Sequence, residues 1–453
     1  FLSICALRFA LPVFADLNGL EGLRAVPIMA SESMPKPIMG VGVGHDGTIY
    51  VTETIRQQRE EISLIQSPFL HRHCMALDTT EAKRKWILEN YASNIIGRQG
   101  VKDYNKDGKI DVQDLSVRSE KIYTLQDSDG DGVYDKATLF AEGFNDLLTG
   151  CAHSVAPIGG HVYATIIPDL WKLTDSDGDG VADRRESLAH GFAPHIGYGN
   201  HDLHSILQGY DGKLYWSMGD RGANVLSKEG KRVSNPHSGC ILRCNPDGSE
   251  FEVFAHGLRN CQYFDFDNYG NLFAVDHDAD FQGERERLVY LPEGSDSGWR
   301  MYYQYRNTTH VRASREDLYN PWLAEKMWVP FHAGQPSHIL PAIENSWNAP
   351  ASFSFQPGTA LGGAYKDHFL LGCKGNIRAF KMVADGAGFK REGDHVPIQG
   401  LGWQVLTSTF GPDGRLFFTL WKPRGNRSQL WALQASKETR GMAEVKALLA
   451  KGF

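Results

Sequence analysis

Six times along the chain a polar or glycine turn is followed by a short run rich in β-branched and aromatic residues. The runs are Asp46-Gly-Thr-Ile-Tyr-Val, Gly159-Gly-His-Val-Tyr-Ala, Asp211-Gly-Lys-Leu-Tyr-Trp, Tyr269-Gly-Asn-Leu-Phe-Ala, Lys366-Asp-His-Phe-Leu-Leu and Asp413-Gly-Arg-Leu-Phe-Phe. Turn residues followed by such runs predict strands entered from tight turns. Several are followed by a second repeat: a strand, a polar turn, another strand, then Gly-Phe or Gly-Leu. Leu170 through Gly191-Phe192, and Ile241 through Gly257-Leu258, show it in full; Lys121 to Phe144 repeats it and Ile377 to Phe389 keeps part. Repeated four-strand units of this length predict an all-β fold, a six-bladed β-propeller over residues 16–435, each blade needing neighbours to bury its faces.

Two gaps in the repeat are insertions, 53–119 and 302–347. The first has helical stretches rich in Glu, Arg, Lys, Leu and Ala, Glu53 to Ile65 and Pro68 to Ile96. The second is crowded with aromatics, among them Tyr302, Tyr305, Trp322, Trp328 and Trp347, and is a candidate pocket wall.

Three acidic turns match the oxygen-ligand spacing of an EF-hand-type calcium loop. The first offers Asp103, Asn105, Asp107, the Lys109 carbonyl, Asp111 and Asp114, with Gly108 at the sharp turn. The second offers Asp127, Asp129, Asp131, the Val133 carbonyl and Asp135; the third Asp175, Asp177, Asp179, the Val181 carbonyl, Asp183 and Glu186. Carboxylates at alternate positions repel unless a cation offsets them, so Ca²⁺ is the expected ligand. The second and third loops fill the place taken by Asn245-Pro246-Asp247-Gly248 in the hairpin that ends at Gly257, which predicts elaborated hairpin turns with a structural role.

Composition narrows the class. The 453 residues are 42% hydrophobic and 22% charged, enough apolar material for a large core. A net charge of −7 without a basic stripe argues against nucleic acid as a partner. Residues 1–15 are apolar apart from Arg8 and end Val13-Phe14-Ala15, the pattern of a signal-peptide remnant, which predicts export to the periplasm or the exterior. No later run approaches the roughly 20 apolar residues of a membrane span. Cys240 and Cys244 lie four apart on one predicted strand, roughly 13 Å at strand rise, too far to bridge. No Cys-x-x-Cys-His occurs, so this segment carries no c-type haem site.

The candidate chemistry concentrates between Asn200 and Asp278, where Asn200-His201-Asp202-Leu203-His204, Gly219-Asp220, Gly257-Leu258-Arg259-Asn260 and Asp276-His277-Asp278 stand at the ends of successive predicted strands. His201 has the chemistry of a general base, Asp220 of the carboxylate that orients it, and Arg259 of an oxyanion partner. A set of salt-bridged strand ends would have the same composition.

These residues resemble the soluble quinoprotein sugar dehydrogenases, six-bladed propellers that bind pyrroloquinoline quinone and Ca²⁺ over the central channel. The shared pattern is a His ten residues before the turn of an Asp-Gly-x-Leu-Tyr strand that ends Gly-Asp, followed by Gly-x-Arg-Asn before the next blade. His201, Asp211, Gly219-Asp220 and Gly257-Leu258-Arg259-Asn260 supply it, and Gly298-Trp299 resembles the family's Gly-Trp after blade four. The resemblance implies His201 as base, Asp220 as its orienting carboxylate, and Arg259 and Asn260 beside the quinone. It also implies Lys374 as a cofactor contact, and the carbonyls of Asp278 and Ala279 as ligands of the quinone's Ca²⁺. Where the family carries a pair of arginines this chain has Trp403-Gln404-Val405-Leu406, with Gln404 as the candidate contact. The whole chain is similar to the large exported proteins called membrane-bound dehydrogenases, in which helical repeats and a cytochrome c domain follow the propeller; residues 436–453 are the expected start of such a helical extension.

The implied activity is oxidation of a sugar or related alcohol by hydride transfer to the quinone, with a cytochrome c as a possible electron acceptor. Two alternatives are a degenerate calcium-stabilised propeller that binds carbohydrate or a protein partner, and a lactonase-like hydrolase in which a channel Ca²⁺ activates water.

Overall fold

The computed structural model describes residues 22–29, 35, 37–56, 62, 73–74, 76–91, 101–128, 132–197, 199–277, 285–300, 342–345, 347, 349–422, 427–436, 444–445 and 448. The expected signal-peptide remnant (1–15), most of the 302–347 insertion and nearly all of the expected 436–453 extension lie outside the described residues, as do Asp129, Asp131, Asp278 and Ala279.

The predicted turns enter strands as expected. At Asp211-Gly212 the Gly209 N–H donates to the Lys213 carbonyl at 2.9 Å, the Lys213 N–H donates to Asp211 Oδ1, and Gly212 takes φ +81°, a conformation open to glycine. Asp46-Gly47 and Asp413-Gly414 repeat this geometry. One sequence device therefore starts the second strand of three different blades.

The first strand, β1 (Leu23–Pro27), pairs far away in sequence. β2 (Ile38–Val43), β3 (Ile49–Glu53), β4 (Glu120–Gln126) and β5 (Lys136–Phe144) form one sheet; β6 (Ala152–Ile158), β7 (His161–Ile166), β8 (Asp169–Thr174) and β9 (Arg184–His190) form the next. The third sheet runs β10 (Leu203–Gln208), β11 (Leu214–Met218), β14 (Gly239–Cys244), β15 (Glu252–Leu258), with a small ribbon, β12 (Ala223–Leu226) and β13 (Arg232–Asn235), between β11 and β14. The fourth contains β16 (Cys261–Phe266), β17 (Leu272–Asp276), β18 (Arg287–Tyr290) and β19 (Glu344–Asn345). Helix α1 (Thr80–Asn90) falls within the 53–119 insertion, its N-terminus capped by the Thr79 hydroxyl.

The last sheet corrects the blade count. It joins six strands in the order β1, β24 (Arg427–Ala435), β23 (Leu416–Lys422), β22 (Gly388–Phe410), β21 (Phe369–Asp385) and β20 (Ser352–Phe355), so the ladders make five blades rather than the expected six. The reason is local. Gln404 is paired with Lys374 on one side and Trp421 on the other, so hydrogen bonding passes without a break from the fifth repeat into the sixth.

Packing nevertheless keeps the repeat. Leu370, Ile377, Ala379 and Ile398 pack against Val405, Leu416, Phe418 and Trp431 within that one sheet, as Tyr163, Phe192, Trp216 and Phe251 do between the second and third sheets. The strands nearest the axis are β2, β6, β10, β16, β20 and β22, each against the next, with β22 returning to β2. They run outward from the same end of the molecule, so their N-terminal ends and the C-terminal ends of their hairpin partners share one face.

All six described cysteines, Cys240 and Cys244 included, are buried, and none is in a disulfide.

Candidate active site

His201 lies two residues before β10 and Asp220 two residues after β11, which places them on that shared face. Their side chains meet: His201 Nδ1 lies 2.9 Å from Asp220 Oδ1, with His201 8% exposed and Asp220 fully buried. Burial, then the Arg259 charge, hold the imidazole well below its usual pKa. Burial pushes the Asp220 carboxyl up, and Arg259 opposes that rise. With Asp220 ionised, as the Arg259 charge favours, a neutral imidazole carries its proton on Nδ1 and leaves the basic lone pair on Nε2.

The approach depends on Gly219. A Cβ there would stand 2.6 Å from the His201 carbonyl oxygen and 2.8 Å from Asn260 Oδ1, so a larger residue would separate the elements. Asp220 Oδ2 is buried without a hydrogen-bond partner among the described residues.

Arg259 and Asn260 sit between β15 and β16, held by a residue that the sequence reading placed at a strand end without assigning it a role. The buried Asp276 carboxylate at the end of β17 accepts from the Arg259 and Asn260 backbone N–H groups at 3.1 and 2.8 Å, and pairs with the Arg287 guanidinium at 2.5 Å. Arg287 in turn donates to the Ser297 carbonyl, while the Trp299 N–H donates to the Gly257 carbonyl at 2.9 Å. The Gly298-Trp299 motif thus ties down the Gly257-to-Asn260 turn. The Arg259 side chain donates to the His277 carbonyl at 2.9 Å. Asn260 Oδ1 lies 3.0 Å from His204 Nε2, and the His204 ring packs 4.1 Å from His153.

Beneath this group is a second buried set, also missed. Asp202 is paired with Arg221 at 2.5 Å and accepts from the Cys151 N–H at 3.1 Å. Its signal was legible: Asp202 and Arg221 each directly follow a candidate residue, and charges so placed on apolar strand ends need partners.

Lys374 and Gln404 are cross-strand partners, Lys374 with an exposed side chain. Gly372 pairs with Ser352, the first residue of β20, so Lys374 and Gln404 lie just beyond the N-terminal end of that inner strand, toward the His201 face, though no contact joins them to His201 among the described residues. Gln404 Nε2 donates to the Ala349 and Val405 carbonyls at 2.7 and 3.1 Å, so its amide hydrogens are committed to backbone.

The first acidic turn lies between β3 and β4, and the other two lie at the strand ends away from this face. The second and third lie in the β4–β5 and β8–β9 hairpins, where β14–β15 carries Asn245 to Gly248. Asp175, Asp177 and Asp179 bring carboxylate oxygens within 4.8 Å of one another. Asp175 accepts from the Gly178 and Gly180 N–H groups, Asp179 from Val181, and Asp127 from Gly132. Asp183 and Asp135 instead accept from Ser176 and Ser128, and Glu186 is paired with Lys228 at 3.1 Å. In the first loop Asp103 accepts from Asp107 and Gly108, Asn105 from Asp107, and Asp107 from Lys109. Asp111 caps the 3₁₀ turn Val112–Ser116, and Asp114 accepts from Tyr104, Asn105 and Asp111.

The sequence matches, over residues 25–419, a family described as a domain of unknown function, DUF7133. The chain belongs to the DUF7133 family. Two solved structures share the fold of this DUF7133 chain. One, an oxidoreductase described as a glucose dehydrogenase from Thermus thermophilus, is 15% identical with a TM-score of 0.51, covering 91% of this chain and 100% of its own. The other, the PQQ-bound form of an aldose sugar dehydrogenase from Streptomyces coelicolor, is 14% identical with a TM-score of 0.51, covering 92% of this chain and 100% of its own. No curated protein matches the DUF7133 chain.

Proposed function

We propose that this protein is an exported oxidoreductase that takes hydride from a sugar or related alcohol onto pyrroloquinoline quinone. The observation that carries the reading is the buried His201–Asp220 pair, held at the channel end beside Arg259 and Asn260. A neutral imidazole with a fixed tautomer is a proton acceptor for a hydroxyl, and a guanidinium nearby stabilises the negative charge that develops as the proton leaves. Bound quinone supplies the hydride acceptor. Asp220 keeps the His201 lone pair aimed outward and stabilises the imidazolium that forms.

The residues fit the carbonyl end of such a quinone better than its carboxylates. Arg259 and Lys374 are two described cations on this face that would meet anionic groups, and Gln404, with both amide hydrogens on backbone carbonyls, adds no charge. That deficit favours a second reading, a propeller that binds carbohydrate with the redox site degenerate. Ca²⁺ at the cofactor would rest on the Asp278 and Ala279 carbonyls, and Ca²⁺ in the three acidic turns would be structural; the convergent carboxylates of Asp175, Asp177 and Asp179 support the latter.

The deciding experiment adds saturating quinone with Ca²⁺ and follows the absorption spectrum and dye-linked oxidation of a panel of aldoses and polyols. A bound chromophore that sugar reduces supports the dehydrogenase. Neither a spectral change nor turnover on any sugar leaves the binding propeller.

A further inference from the structure

A cavity of about 630 Å³ opens at the end of the central channel away from His201. Its lining comes from the C-terminal ends of the inner strands and the turns after them: Gln208 at the end of β10 and Tyr210 beyond it, Asn268 beyond β16, His45 beyond β2. The nearest lining residue on β10 is Ser205, four residues from His201 and roughly 13 Å at the usual rise, and none of His201, Asp220, Arg259 and Asn260 lines the cavity, so this cavity and the His201 group are separate places.

Its chemistry is narrow. No Lys or Arg is among the described residues that line it; besides tyrosines its titratable groups are His45 at the rim and Asp265, whose carboxyl accepts from the Phe355 N–H at 2.7 Å, so a phosphate or carboxylate would find little counter-charge. The floor is a belt of neutral hydroxyls, one from nearly every inner strand: Ser154 and Tyr263 oxygens lie 3.0 Å apart, those of Ser354 and Ser408 2.8 Å, and Ser205 completes the wall. At the rim Tyr210, 72% exposed, stands 6.0 Å from the Phe266 ring, and Phe355 and Phe410 also face the cavity. An apolar ligand would strip water from the hydroxyl belt without replacing its hydrogen bonds. A polar ligand without C–H faces would waste the aromatic rim.

We propose that this mouth is a binding site for a neutral saccharide, whose hydroxyls hydrogen-bond to the belt while a sugar face lies on Tyr210 and its neighbours. The volume is within the range of about 300–1,000 Å³ usual for small-molecule sites. The proposal is independent of redox chemistry at His201.

Calorimetric titration of the full chain, without quinone, tests it with cellobiose and maltose as neutral probes and glucose 6-phosphate as the anionic control. At least one neutral probe binds, and the phosphate does not. Tyr210→Ala, a surface change that leaves the core alone, weakens binding about tenfold or more, the worth of a lost aromatic anchor; Ser408→Trp, which fills the belt, abolishes it. His201→Ala leaves it unchanged. If Ser408→Trp does not fold, Tyr210→Ala decides. The proposal is overturned if neither neutral probe binds, if binding survives Tyr210→Ala at full strength, if glucose 6-phosphate binds as tightly, or if His201→Ala removes the binding.

Discussion

At the residue scale the site rests on a few buried polar contacts, and each has a distinct signature on substitution. In quinone-loaded protein, His201→Ala should lower turnover by about 10² to 10⁴, the usual worth of a positioned base, with cofactor binding nearly intact. Asp220→Asn should lower turnover with little change in sugar KM, because the amide no longer fixes the imidazole proton on Nδ1. Equal loss of cofactor affinity in both variants would make the pair structural. His204 offers a pH test. Burial lowers its pKa to about 3, whereas the unfolded chain takes up the proton near the ordinary value of about 6.5. Between those values the unfolded state holds more protons, so the contribution of His204 to stability is full above pH 6.5 and is lost on acidification. At pH 5 the loss is about 2 kcal/mol relative to neutral pH. His204→Gln should remove that slope, so melting curves of variant and parent should converge as pH falls; parallel curves would refute it. His201, Asp220, Arg259 and Asn260 were legible because each breaks an apolar strand end. Asp276 was visible but unassigned, since its importance comes from accepting two backbone N–H groups, and no periodicity records which amides a turn turns inward.

The elements carry their own expectation. The third acidic loop brings three carboxylates together with backbone N–H groups already organising them, so Ca²⁺ binding needs little rearrangement. If such a site binds at about 10⁻⁴ M, 10 mM Ca²⁺ adds about 2.7 kcal/mol to stability by mass action. Chelation should lower the melting temperature, and Asp177→Ala with Asp179→Ala should blunt the response without abolishing it while the other loops remain. An unchanged melting point on chelation would dismiss the calcium reading. Spacing made the hairpin position of these turns legible. It did not reveal that Glu186 would turn to Lys228, because a neighbouring blade supplies that lysine and no local pattern can contain it.

At the scale of the whole molecule, the alternation of turn and strand located the second strand in every repeat, but not where one hydrogen-bonded ladder ends and the next begins. A period of two fixes which face is buried and leaves the edge of a sheet open; Gln404, pairing on both sides, merges two repeats into one sheet. That merged sheet also holds the closure of the ring. β1 pairs along its length with β24, from Leu23 opposite Ala435 to Pro27 opposite Trp431, and the Ile28 N–H donates to the Leu430 carbonyl at 3.0 Å. Ile28 is fully buried and Met29 4% exposed, packed with Ile38, Val41 and Phe417 from the sheets on either side of the seam. Removing residues 1–29 would therefore empty two core positions, at about 2–5 kcal/mol for each large apolar side chain lost, and bare the edge of β24 to other chains. The truncated protein should melt well below the parent and self-associate on size-exclusion chromatography. A peptide of residues 22–29 added in trans should raise the melting temperature again, since it binds only the native edge. If truncation leaves the melting point unchanged, or the peptide restores nothing, the ring is held by its inner strands alone and β1 is an accessory strand.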